Sequence, residues 1–180
     1  MPISIPELKI PAASSSDAPN PYEVHLNLGA IQGESASSAH PNEIEVVSFN
    51  WGLSNSAVRS AQGGTSKGGK TTVNEITLTK HTDKSTPLLV NAVASCQKIP
   101  TAKISVSKST GGKKPEDYLI ITMTNAFIGS LQLASPSIGA MGTETVTINF
   151  QKLEIDYKIQ NAMGILAGAT TASLDLTQGT

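Results

Sequence analysis

The 180-residue chain contains a single cysteine, Cys96, so no disulfide can form within it and no Cys-based metal motif exists. Aromatic residues make up 4% and charged residues 15%, with 13 basic and 14 acidic side chains leaving a net charge of −1. A nucleic-acid binder carries a basic excess and aromatic stacking platforms, so this balance speaks against nucleic acid as a partner. No apolar run approaches the roughly 18 residues of a membrane-spanning helix, so membrane insertion is not expected. The start, Met1-Pro2-Ile3-Ser4-Ile5-Pro6-Glu7, lacks the basic region and apolar stretch of a signal peptide, so a cytoplasmic origin is expected. Export would then need a route other than the general one.

In place of charge the chain carries hydroxyls, 21 Ser and 18 Thr. Thr favours strands and Ser favours turns, so the composition leans toward a loop-rich β domain. A chain of this length makes one domain that buries about 70% of its unfolded surface, enough for a core without disulfides or metal. Five of the ten prolines and the run Ser14-Ser15-Ser16 fall in residues 1–21, which reads as an N-terminal arm preceding a single domain over 22–180.

Alternation with period two begins at Tyr22, Val24, Leu26 and Leu28. A second strand spans Glu43 to Trp51, where the apolar parity switches at Val46-Val47 and predicts a bulge. A nearly twenty-residue Ser/Gly/Lys loop runs to Lys70, and a strand follows over Thr72 to Lys80. One amphipathic helix is predicted, with Ser85 as cap, Pro87 in the first turn, and Leu88, Leu89, Ala92, Val93 and Cys96 at helical spacing up to a stop at Pro100. Cys96 thereby falls on the apolar face and is expected in the core. Further strands centre on Ala102 to Val106, Leu119 to Met123, Leu131 to Leu133, Val146 to Phe150, Leu153 to Ile159 and Ala172 to Leu176. The fold class is therefore mainly β, a two-sheet β-barrel or sandwich of eight to ten strands with one short α-helix covering an open edge or end.

Gly64-Thr65-Ser66-Lys67-Gly68-Gly69-Lys70-Thr71 matches the Walker A string, and on its face makes Lys70 and Thr71 phosphate ligands of a nucleotide hydrolase. That chemistry needs a buried strand before the loop and a helix after it, and neither flank has the pattern, so a flexible loop is the better reading. His25, His40 and His81 are scattered, and Glu34, His40 and Glu43 read as turn and surface residues rather than metal ligands. Glu116 and Asp117 lie in a turn and read as solvated. Trp51 reads as a core anchor, with a sugar-stacking platform on a monomeric glycan-binding sandwich as the alternative. No catalytic, cofactor-binding or metal residue is assigned.

Taken in order, Gly33-Glu34-Ser35, His40, Glu43-Ile44-Glu45-Val46, Ser48-Phe49-Asn50-Trp51-Gly52, Gly64-Thr65-Ser66-Lys67-Gly68, Thr79-Lys80 and Asp83-Lys84-Ser85-Thr86-Pro87-Leu88-Leu89 closely resemble the haemolysin-coregulated protein (Hcp) family of type VI secretion systems. Tyr118, Glu144, Tyr157 and Gln160 extend the resemblance to roughly residues 22–160. It implies a β-barrel subunit, a homo-hexamer whose rings stack into a tube, and no enzyme activity. It further implies a contractile sheath, a spike protein of the valine-glycine repeat family and small effector proteins as partners, with secretion through the machine itself. The chain departs from the family in its longer Pro/Ser-rich arm, in Asn50 where Ser is common, and in a tail after Gln160 without an aromatic final strand. Oligomer and stacking contacts are expected from Ser54, Arg59, Ser66, Lys67, Lys70, Asp83 and Lys84, in and near the long loop and the turn before the helix.

Overall fold

The computed structural model describes residues 22–55, 71–108, 115–135, 141–160 and 166–177, which form ten strands and one helix. The arm, residues 1–21, and most of the Ser/Gly/Lys loop lie outside the described residues. The strands are β1 (Tyr22–Asn27), β2 (Ile44–Asn50), β3 (Leu53–Asn55), β4 (Thr71–Val73), β5 (Ile76–His81), β6 (Ile99–Lys108), β7 (Glu116–Ala134), β8 (Thr143–Asn149), β9 (Lys152–Gln160) and β10 (Leu166–Asp175), with α1 over Thr86–Ala94.

Six strands close on themselves in the order β7, β6, β1, β2, β5, β8 and back to β7, and β9 and β10 extend the sheet outward from β7. Closure removes the exposed edges of these six strands, and β10 is the outer edge of the extension. Inward positions alternate along every wall: Leu26, Ile44, Ile76, Leu78, Ile104, Met123, Val146 and Ile148 are all at most 1% exposed. Each such side chain contributes about 1.5–3 kcal/mol through burial. The predicted change of parity at Val46-Val47 is a bulge: Val46 pairs with Lys80, Ser48 with Thr79, and Val47 is left out of register and exposed.

Strand β7 is longer than its sequence suggested, because Leu119 to Met123 and Leu131 to Leu133 belong to one continuous element. Its first half pairs with β6 and β9 and its second half with β8. Asn125 sits at the changeover with φ 53°, a left-handed conformation that Asn tolerates better than most residues, and its side-chain amide donates to Gln151 at 2.8 Å. Gly129 then shifts the register against β8, which breaks the alternation and hides the continuity. The predicted strand from Thr72 to Lys80 is instead two, β4 and β5, and β4 pairs with β3 in a separate two-stranded sheet.

The helix also ends earlier than expected. Its last residue is Ala94, and the amides of Ser95, Cys96 and Gln97 donate back to the carbonyls of Asn91, Val93 and Ala92. Cys96, at φ 49°, turns the chain out of the helix and is exposed, which corrects the core assignment. Pro100 does not stop the helix: it lies in β6. Leu89 and Ala92 face inward, where α1 packs against β7, whereas Leu88 and Val90 remain 42% and 47% exposed.

Candidate functional site

Chemistry-bearing side chains gather in three places. The first joins the barrel wall to the start of the helix. Lys80 on β5 and Glu144 on β8 are register partners, both with fully buried side chains, and Lys80 Nζ lies 2.9 Å from Glu144 Oε2. The ammonium group also donates to the His81 carbonyl at 2.6 Å and meets Asp83 Oδ1 at 2.9 Å, so its three hydrogens are all used. Thr86 donates to the other Glu144 oxygen at 2.5 Å, and Ser85 donates to Asp83 through both its amide and its hydroxyl. Ser85 occupies the N-cap position, but its hydroxyl serves Asp83 rather than the helix amides. Lys80 and Glu144 are sealed from solvent and Asp83 keeps 13% exposure, and the bonds among them fasten the turn of Asp83 and Lys84 to the barrel.

The second lies on the outer side of β1, where the segment Gly33 to Glu43 folds over the sheet. His40 is buried, with its Nδ1 3.0 Å from Glu43 Oε2 and its Nε2 2.8 Å from Asp117 Oδ1. His25 stacks on it, ring centroids 4.6 Å apart at 17°. Burial holds His25 below the ordinary imidazole value, and the adjacent His40 adds to the effect. The expectation that His40 is a surface residue and Asp117 solvated is therefore corrected: the two are 77 positions apart in sequence and meet only because the covering segment brings His40 to the start of β7. Glu34 does not join them, since its carboxylate accepts from the Lys84 amide at 3.2 Å. Among the described residues no group of three or more His, Cys, Asp or Glu side chains could hold a metal ion.

The third is a surface group. Tyr22, Tyr118 and Tyr157 converge from β1, β7 and β9, with edge-to-face centroid separations of 6.1 and 6.3 Å, around a depression of about 300 Å³ that Lys108, Lys158 and Ile159 complete. Desolvation, with the two neighbouring phenols, raises the Tyr118 hydroxyl above its ordinary value.

Of the residues expected to make contacts between copies, Ser54 is exposed on β3, Asp83 is tied inward to Lys80, and Lys84 is exposed on the turn before α1. Arg59, Ser66, Lys67 and Lys70 lie outside the described residues. Thr71, the last residue of the Walker-like string, begins a strand and not a helix, so the helix N-terminus that would hold a phosphate is missing there. Trp51 is partly buried against the core and donates its indole N–H to the Asn74 carbonyl at 3.0 Å. No described helix is long and apolar enough to cross a membrane.

Comparison with known proteins agrees with this architecture. The profile of the family described as "Type VI secretion system effector, Hcp" matches residues 25–157. Protein hcp1 of Pseudomonas aeruginosa is 35% identical over 146 residues, covering 81% of this chain and 89% of the relative. Among solved structures, Hcp1 from Salmonella typhimurium superposes with a TM-score of 0.71 at 27% identity, covering 89% of this chain and 98% of the other. A structure described as a type six secretion system protein reaches a TM-score of 0.81 at 22% identity, covering 88% and 98%, and at that identity supports the fold alone. The matched region takes in both buried clusters, from His25 through Glu144 to Tyr157, and the chain belongs to the Hcp family of type VI secretion proteins.

Proposed function

We propose that the chain is a structural subunit of the type VI secretion inner tube, assembling into hexameric rings that stack and are expelled with small effectors in the lumen. Family membership is the observation that carries this reading. The surface supports it. Ten large apolar side chains of the described residues are exposed, among them Leu88 and Val90 on the outer face of α1, Leu133 on β7 and Leu53 on the β3–β4 hairpin. Apolar surface spread over separate elements suits a subunit that meets copies of itself on different sides. A closed ring of this kind joins two unlike faces head to tail, so each copy offers a donor face and an acceptor face.

In this reading the β3–β4 hairpin carries Ser54 and the loop with Arg59, Ser66, Lys67 and Lys70 toward the next ring, while the Asp83-Lys84 turn is held at a set height by the Lys80 cluster. The spike protein, the contractile sheath and the effectors are the proposed partners. The chain waits in the cytoplasm until the tube is fired and works without a catalytic residue. Light scattering on the purified chain tests the reading, which requires a six-copy particle.

A further inference from the structure

We propose that the three tyrosines form a docking groove for the proline-rich arm of this same chain, residues 1–21. Tyr22, Tyr118 and Tyr157 are all the tyrosines the chain contains, and the sheet brings them from three strands to one place. Tyr22, Tyr157 and Ile159 stay 45%, 48% and 52% exposed around the depression of about 300 Å³. Lys108 lies 5.5 Å from the Tyr22 ring centroid, and Lys158 stands at the same rim. Edge-to-face rings present flat apolar walls at right angles, the shape into which proline rings pack.

The occupant is argued from the chain itself. Pro21 is bonded to Tyr22, so the arm starts at the rim of the groove. Its five prolines, at 2, 6, 11, 19 and 21, disfavour pairing as an added strand and favour an extended polyproline conformation, which aromatic grooves recognise without backbone ladders. At about 3.1 Å per residue, the segment before Pro19 has ample length to turn at Ser14-Ser15-Ser16 and lie across Tyr118 and Tyr157. Glu7 and Asp17, against the single Lys9, leave the arm one negative side-chain charge that complements Lys108 and Lys158. The short tether supplies an effective concentration near the millimolar range, so a weak contact suffices. The inference goes beyond the tube reading and stands without it.

The test uses the full chain labelled with 3-fluorotyrosine, whose three fluorine resonances report the groove directly. Compared with the wild type, the combined Pro6→Ser, Pro11→Ser, Pro19→Ser chain should shift the Tyr118 and Tyr157 resonances, and trypsin should cut after Lys9 at least five-fold faster. Tyr157→Ser, at a half-exposed position, should speed the same cut while the remaining barrel resonances hold. Unchanged Tyr118 and Tyr157 resonances with equal cleavage rates would overturn the proposal. Shifts that follow protein concentration and ignore the prolines would put a second copy in the groove, and would overturn it too.

Discussion

Lys80 Nζ and Glu144 Oε2 face each other at 2.9 Å across the β5–β8 register, both side chains fully buried. Such a pair is worth keeping only when complete. Glu144→Ala leaves an ammonium group with a buried partner missing and should cost about 3–5 kcal/mol in urea unfolding, whereas the double change Lys80→Met with Glu144→Leu should recover part of that loss, Asp83 and Thr86 still lacking their partners. A cost for the single change below about 1 kcal/mol would mean that water reaches the pair.

His25 sets a pH dependence with a definite sign. Burial, then His40, lowers its value from the ordinary 6.5, against smaller opposing effects of Glu23, Glu43 and Glu45. The folded chain therefore binds fewer protons there than the unfolded chain, and the stability gained is present above pH 6.5 and lost as the pH falls below it. The urea midpoint of the wild type should drop more between pH 7.5 and 5.5 than that of His25→Leu; equal drops would detach His25 from the effect.

Gly33 has no room for a side chain, because a Cβ there would run into the Glu43 carbonyl and come within 2.5 Å of the Ile44 Cα, both backbone atoms at the start of β2. Gly33→Ala should destabilise by about 1–3 kcal/mol and loosen the segment that carries His40, visible as faster amide exchange at Ser35 and Asn42, whose amides bond across it. A neutral substitution would show that β2 can shift.

Cys96, exposed at the helix exit, should react with a water-soluble disulfide reagent in the folded chain within about ten-fold of its rate in denaturant. Protection beyond a thousand-fold would return it to the core.

A strand-rich barrel or sandwich was legible because apolar residues alternate along each strand, and closure, which rests on the β7–β8 pairing, was not; the Val46-Val47 bulge showed as a parity switch. The buried pair left a trace as well: Lys80 shares its parity with Ile76 and Leu78, and Glu144 with Val146 and Ile148, so opposite charges stood at inward positions of two strands. Cys96 was misplaced because helical spacing continues past the point where the backbone leaves the helix, and Asn125 and Gly129 masked the unity of β7. The His40 to Asp117 bond depends on how a turn segment drapes over a sheet, and the tyrosine group on strand order; neither has a local signal.

Removing residues 60–68, which lie in the sequence between β3 and β4, deletes no residue of any barrel strand. Ring particles should persist and their end-to-end stacks should disappear in electron micrographs. Stacks of normal length would exclude this segment as the contact between rings.

The central claim is that copies of this chain build a ring. Size-exclusion chromatography with light scattering at micromolar concentration, followed by negative-stain images of the peak, measures it directly. The account predicts six times the 18.7 kDa chain mass and annular particles; a monomer that persists at millimolar concentration would contradict it.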